Sequence, residues 1–386
     1  MYLAISWTWC IGMFLPVLLL RDFGWGGYLA FLLPNCIGAA LMGQVLTPQS
    51  SRDLLERHRT AVIIFSLVTS AFQAFFISWL LGVSFGVEVG AIAAAGLGLS
   101  GIFVPALVRA SRDRAIALCT VVFFASLALV GYALTFPAQS LLDNTTPVPR
   151  FSQDLLWLTP VCVFGFALCP YLDSTFHHAL VQSAPRQRAT FRLGFLGFFA
   201  VMVLLTPLYA HWLYTSQLAS TIQIWPIALH LLLQTTLTIW LHHSSLASDA
   251  EAARPDATTT AAAATPAFTP TQFRSALAVV AGAAVGAGSI FLPEHAGLIG
   301  PEIAYRSFLV FYGLVFPTYV WICIIPFRGS SGATGTRLVI TLAAIALALP
   351  FFWLGFIERQ TWWLSIGLGI VGLAKVIAHG RRPASA

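Results

Sequence analysis

Apolar runs about 20 residues long, the length that crosses a bilayer core, recur along the chain with almost no charge inside them. They lie near residues 2–20, 25–47, 61–82, 86–108, 115–136 and 155–173, and again near 193–214, 222–242, 273–292, 303–326, 337–357 and 361–379. Backbone N–H and C=O groups in hydrocarbon must be satisfied within the protein, and helices do this segment by segment. The runs therefore predict an all-α polytopic membrane protein with 12 transmembrane helices. With 58% apolar and 9% charged residues, a water-soluble domain is excluded, and 1–386 is read as a single membrane domain in contact with the lipid bilayer.

The basic residues test this topology, because cytoplasmic loops are enriched in Lys and Arg. With the N-terminus inside, 16 of the 20 basic residues fall on the cytoplasmic side, and Arg21, Arg150, Arg306 and Arg359 remain outside. Both termini are then cytoplasmic. The net charge of +6 reports topology, and no nucleic-acid partner is read from it. All six cysteines lie inside predicted spans, with no disulfide framework or CxxC metal pattern. The N-terminus lacks a basic n-region and runs straight into a full-length span, so no cleavable signal peptide is expected. An Ala- and Arg-rich, nearly Lys-free composition points to a bacterial inner membrane.

Two spans carry a helix-breaking pattern. In Cys162-Val163-Phe164-Gly165-Phe166-Ala167-Leu168-Cys169-Pro170 the proline has no N–H to offer the carbonyl of Phe166, and in Cys10-Ile11-Gly12-Met13-Phe14-Leu15-Pro16 the carbonyl of Gly12 is left in the same way. A continuous helix from Leu155 to Ala184 would be about 45 Å long, more than one crossing needs. A break near Gly165–Pro170 resolves the excess and makes Pro170 a first-turn residue of the inner half-helix. Asp173 then complements that helix's exposed N–H groups, or acts as an ion- or proton-coupling carboxylate. The two roles are compatible. Two interrupted spans in corresponding places point to a transporter's midplane site.

Other polar residues cluster around this idea. Ser6, Thr8 and Cys10 line helix 1 beside Trp7 and Trp9, helix 2 contains Pro34-Asn35, helix 3 contributes Gln73, and helix 8 offers His230, Gln234, Thr235, Thr236 and Thr238. His177 follows Asp173 by four residues, with His178 beside it, a spacing that suits a metal or a shared proton as well as the wet end of a helix. Glu302 and Arg306 fit either solvated loops or an outer gate. The segment 243–272, rich in Ala, Thr and Pro, reads as a disordered cytoplasmic linker, and Asn144-Thr145-Thr146 matches a glycosylation acceptor.

Internal similarity adds order. Pro105 set against Pro293 aligns helices 4 and 9 at an offset of 188, the Cys-to-Pro runs of helices 1 and 6 align at 152 to 154, and Gln73 aligns with Gln234 at 161. This reads as a repeat of five helices, 1–137 and 151–327, with two peripheral helices in 337–379. Five is odd, so the second copy is inverted in the membrane.

On these features the chain resembles a LeuT-type secondary transporter of the amino acid–polyamine–organocation superfamily, with Ser6-Trp7-Thr8-Trp9-Cys10-Ile11-Gly12 resembling the sodium:solute symporters. The resemblance is architectural and covers helices 1 to 10. It implies a LeuT-like 5+5 inverted repeat, no enzymatic activity, and a small neutral or zwitterionic solute bound between broken helices 1 and 6. Carried over, it puts Trp9, Cys10, Ile11, Gly12, Gln73, Phe164, Gly165, Phe166, Cys169, Asp173 and Gln234 around the solute. It also puts Thr235 and Thr236 at a Na⁺, with Na⁺ or H⁺ as coupling ion and no other cofactor. The alternatives are a 6+6 carrier of another superfamily, a membrane-embedded metal enzyme using Asp173, His177 and His178, and a non-transporting sensor or scaffold.

Overall fold

The computed structural model describes residues 1–103, 112–136, 153–214, 221–252, 269–325 and 334–380. Among them there is no strand, and the chain is a succession of helices. Pro105, the Asn144 acceptor and residues 253–268 of the expected linker lie outside the described residues.

The short α1 (Tyr2–Trp7) is followed after two non-helical residues by α2 (Cys10–Val45). As one straight rod α2 would be about 54 Å long, but at Gly24 the backbone takes φ 63°, ψ −158°, a conformation that glycine reaches without a Cβ penalty. The chain doubles back there. The Trp7 indole N–H donates to Asn35 Oδ1 at 2.6 Å, across 28 residues that would span about 42 Å if extended as one helix. The α2 hairpin therefore holds two antiparallel arms, 10–23 and 25–45.

The surface helix α3 (Pro48–Arg57) starts with a capping box between Thr47 and Ser50, with proline at its first position, where its missing N–H costs nothing. It leads into α4 (Arg59–Phe85), then through Gly86 (φ 105°) to α5 (Val87–Phe103), and α6 (Arg112–Ala133) follows. Next come α7 (Gln153–Leu168), a 3-10 turn at Cys169–Leu172 and α8 (Ser174–Gln182). The rod α9 (Gln187–Ala210) precedes α10 (Thr221–Ala252) and α11 (Pro270–Ser289), the latter opened by a second capping box, Thr269 with Gln272. The chain closes with α12 (Gly300–Ile324), α13 (Thr334–Phe356) and α14 (Trp363–Gly380). The expected linker is thus partly corrected: residues 243–252 continue α10, because the Ala- and Ser-rich sequence there has no breaker before Pro255.

Among the described residues, seven helices are long and apolar enough to cross a membrane, the α2 hairpin being one of them. Large apolar side chains such as Ile92, Val339, Leu347 and Leu373 are exposed on the outside of the bundle, which suits a lipid surface and not water. This is an all-α, multi-pass membrane protein.

Packing is closest where small residues let backbones touch. On α11, a Cβ at Gly282 or Gly286 would lie 2.0 or 2.5 Å from the carbonyls of Ala71 and Phe75 on α4. Ser78 of α4 donates to the Ala283 carbonyl at 2.9 Å. The interior between α2, α4 and α12 is filled by aromatic rings, among them Phe14, Phe72, Phe76, Tyr305 and Phe308.

Candidate functional site

Two helices are interrupted inside the bundle, and the interruptions face each other. The first falls at Thr8 and Trp9, where ψ swings to 68° and 174°. Side chains near the break bond carbonyls of α1. Ser6 Oγ donates to the Leu3 carbonyl at 3.2 Å, Thr8 Oγ1 to the Ala4 carbonyl at 2.6 Å, and the Trp9 indole to the Ser6 carbonyl. At the start of α2 the N–H of Cys10 donates to Gln73 Oε1 of α4 at 3.2 Å. Gln73 thus caps a helix from a neighbouring one, satisfying a group that a break leaves bare.

The second interruption runs through the turn Cys169–Leu172 to Asp173, which has φ −84°, ψ 108°. Pro170 sits in this turn, where it needs no helical partner. Asp173 then caps α8: its Oδ1 accepts from the Thr175 N–H at 2.8 Å and from Thr175 Oγ1 at 2.6 Å. The Trp7 ring lies 4.9 Å from the Phe176 ring of α8, so the two breaks are neighbours.

The first break departs from the position read in the sequence, and the second overlaps the expected Gly165–Pro170 stretch only at Cys169–Pro170. Helix 1 runs on through Gly12 and Pro16, because the competing side chains of Ser6, Thr8 and Trp9 end α1 a turn earlier. Helix 6 runs on through Gly165, because a Cβ there would lie 2.6 Å from the Tyr312 carbonyl and the glycine serves the α7–α12 contact. The carbonyl of Phe166 is covered as well. It lies against Gly38 of the hairpin, 2.5 Å from where that residue's Cβ would be.

Between the breaks a residual cavity of about 10 Å³ is lined by Trp7, Trp9, Ile11, Gly12, Asn35, Phe166, Cys169 and Tyr312, room for about one water. Of the expected solute-binding residues, Trp9, Ile11, Gly12, Phe166 and Cys169 come together here. Cys10 and Gln73 stand one layer behind, joined to each other. Phe164 faces away, its ring 6.3 Å from Trp321, and Gln234 is bonded to Ser126 of α6 at 2.7 Å. Tyr312 was not foreseen; its hydroxyl pairs with Thr69 at 3.0 Å.

The hydroxyls expected at Na⁺ differ in their partners. Thr235 back-bonds to Leu231 and Leu232 of its own helix, the usual fate of a helical threonine. Thr236 Oγ1 is buried without a partner. Thr238 is the hydroxyl that reaches helix 1, donating to the Ile5 carbonyl at 3.1 Å.

Asp173, His177 and His178 do not converge on a metal. His177 is held by Ser51 Oγ at 2.7 Å and by the Tyr171 carbonyl at 3.0 Å, while His178 pairs with Asp249 at 2.9 Å. The free carboxylate oxygen of Asp173 turns instead to His242 of α10, 3.7 Å away. His242 escapes a hydropathy reading because it closes the apolar run 222–242, whereas the helix continues ten residues further.

Each end of the site is closed in a different way. At the end where the hairpin turns, Arg21 holds Glu302 with two bonds of 2.5 and 3.0 Å, and Arg306 holds Asp22 at 2.5 Å and Glu302 at 2.8 Å. Beneath this cluster a cavity of about 70 Å³ lies between the hairpin, α7 and α12. At the opposite end, Leu3 of α1 rests on Gly194 of α9, and beyond it opens a vestibule of about 300 Å³ between α1, α6, α8, α9 and α10. No family model, no curated protein and no solved structure matches this chain.

Proposed function

We propose that this chain is a secondary transporter that moves a small neutral or zwitterionic organic solute by alternating access. Its site would lie between the two broken helices of a LeuT-like 5+5 inverted repeat of twelve crossings in all, in a bacterial inner membrane with both termini cytoplasmic. One observation carries this reading. Two helices are interrupted side by side in the bundle interior, at Thr8–Trp9 and at Cys169–Asp173, where irregular backbone is tolerated only if it lines a cavity or is buried in protein. The repeat gains support from the breaks themselves: Thr8 and Cys169, the first residue past each leading helix, are 161 positions apart, the same spacing as Gln73 and Gln234.

Few fixed charges and several aromatic rings surround the cavity, which favours a solute without net charge. The charge cluster of Arg21, Asp22, Glu302 and Arg306 fits an outer gate, and the vestibule fits an inner exit. With about 10 Å³ left between the breaks, the conformation is the closed one, and solute entry requires Trp7 and Trp9 to move. The same closed cavity favours a second reading, a sensor or scaffold that keeps the architecture without flux.

A thermal-shift screen of neutral and zwitterionic solutes, followed by uptake into proteoliposomes, separates the two. The expected outcome is at least one solute that stabilises the protein and accumulates, with both effects lost in Trp9→Ala while its helical content is kept. Binding without accumulation supports the sensor, and the absence of both contradicts the carrier.

A further inference from the structure

Among the described residues, one pair of ionisable side chains has facing atoms without a partner. Asp173 and His242 are fully buried, and Asp173 Oδ2 and His242 Nε2 point at each other across 3.7 Å with no hydrogen bond to anything else. The remaining atoms of both are engaged: Oδ1 caps α8 through Thr175, and His242 Nδ1 meets Ser66 Oγ of α4 at 3.2 Å. Unpartnered polar atoms in an apolar interior are costly. One proton shared between the imidazole nitrogen and the carboxylate oxygen, with the two drawn in from 3.7 Å to hydrogen-bond distance, removes that cost by forming an N–H···O or O–H···N bond and cancelling the net charge.

The neighbours do not serve. Around the pair, α8 carries His177 and His178, bound respectively to Ser51 with Tyr171 and to Asp249. On α10, His243 meets Ser275 and Asp249 meets His178. Tyr2 of α1 and Tyr312 of α12 lie within electrostatic reach of Asp173, Tyr312 being bonded to Thr69. Packed beside α8, α3 buries only Ser51 and Leu54, its charged residues standing toward the surface. Among the described residues no third His, Cys, Asp or Glu joins Asp173 and His242 to make a metal site.

Two hydroxyls, those of Ser174 and Ser245, lie between the backbone of this pair and the vestibule. Ser245 lines the vestibule of about 300 Å³. Its hydroxyl lies 2.5 Å from that of Ser174, the residue after Asp173, and donates to the carbonyl of His242 at 2.8 Å. We propose that Asp173 and His242 share one exchangeable proton that enters from this vestibule through Ser245 and Ser174, and that this proton is the coupling ion of the carrier proposed above. A hydronium in the vestibule gives up its proton and becomes water. Each serine accepts one proton while passing on its own, the last hop requiring the Asp173 carboxylate to swing toward Ser174 because its Oδ2 has no hydrogen-bond partner at rest, and the pair gains a single positive charge that neutralises the carboxylate. Asp173 is both the hinge residue before α8 and its cap, so loading the pair changes the group that holds this half-helix in place. The coupling role rests on the carrier reading, but the shared proton does not.

Infrared difference spectroscopy of the purified protein across pH, reading the carboxylic-acid and imidazolium bands, tests the sharing without any solute. Asp173→Asn keeps the cap, since Asn serves there as well as Asp, and His242→Gln keeps a polar side chain, with His242→Asn as substitute should it not fold. If the proton is shared, each variant moves the titration midpoint of the remaining partner by about one pH unit or more, a tenfold change in proton affinity. Ser245→Ala slows proton arrival after a pH jump and leaves the midpoint alone. Unchanged midpoints in both variants overturn the pair, an unchanged rate in Ser245→Ala overturns the route, and a midpoint displaced by Na⁺ overturns the proton in favour of a metal cation. An uptake screen that finds no solute contradicts the carrier and leaves these bands untouched, so the two failures are distinguishable.

Discussion

Single residues decide how close the helices come. Gly38 and Gly165 each sit where a Cβ would lie within 2.6 Å of a carbonyl on a neighbouring helix, whereas Gly131 on α6 has nothing within 4 Å. Gly38→Ala and Gly165→Ala should each destabilise the protein by about 1–3 kcal/mol through overpacking. Gly131→Ala should be neutral or gain up to about 1 kcal/mol by relieving the entropic penalty of a mid-helix glycine. Thermal unfolding in detergent checks the difference, and equal effects at the three sites would contradict the packing described. At this scale the sequence was informative about which residues matter and less so about what they do. The interior amide Gln73 was legible as special, but its use as a cap for Cys10 depends on a neighbouring helix that no local pattern reveals. Gly165 was legible only as part of a helix-breaking run, whereas it serves a close contact with the Tyr312 backbone.

At the scale of elements, both interruptions were foreseeable, the position of the second closely and that of the first not. The excess length of helix 6 demanded a break, and Pro170 marks it to within a turn. Helix 1 has no proline or glycine at Thr8–Trp9. It ends because the hydroxyls of Ser6 and Thr8 and the Trp9 indole compete for its carbonyls, a signal weaker than the proline at 16, which the helix absorbs. His242 stayed hidden for a related reason: hydropathy ends where the apolar run ends, while the helix runs on to Ala252. The half-helix α1 is held against α10 by Thr238 on the Ile5 carbonyl. In Thr238→Val that buried carbonyl loses its donor, at a cost of about 1–3 kcal/mol. Amides of residues 2–7 should then exchange faster with deuterium, and unchanged exchange would mean that α1 is secured elsewhere.

The whole molecule holds two closures around one small cavity, a charge cluster where the hairpin turns and the short α1 at the vestibule. A carrier must open these in alternation, which a scaffold has no need to do. The fold class was readable from the apolar runs alone, since length and hydrocarbon chemistry leave little choice. The closure at each end is a property of packing between distant segments such as Arg21 with Glu302, and sequence order does not carry it. Glu302→Gln removes one carboxylate from the cluster, with Leu19→Cys reporting on the cavity beneath it and Ser244→Cys on the vestibule, in a Cys323→Ala background whose other native cysteines are buried. Alkylation rates of the two reporters by a membrane-impermeant maleimide, with and without Glu302→Gln, are the most direct test. Alternating access predicts that the substitution speeds labelling at Leu19→Cys severalfold while slowing it at Ser244→Cys. Faster labelling at Leu19→Cys with Ser244→Cys unchanged or also faster would contradict it.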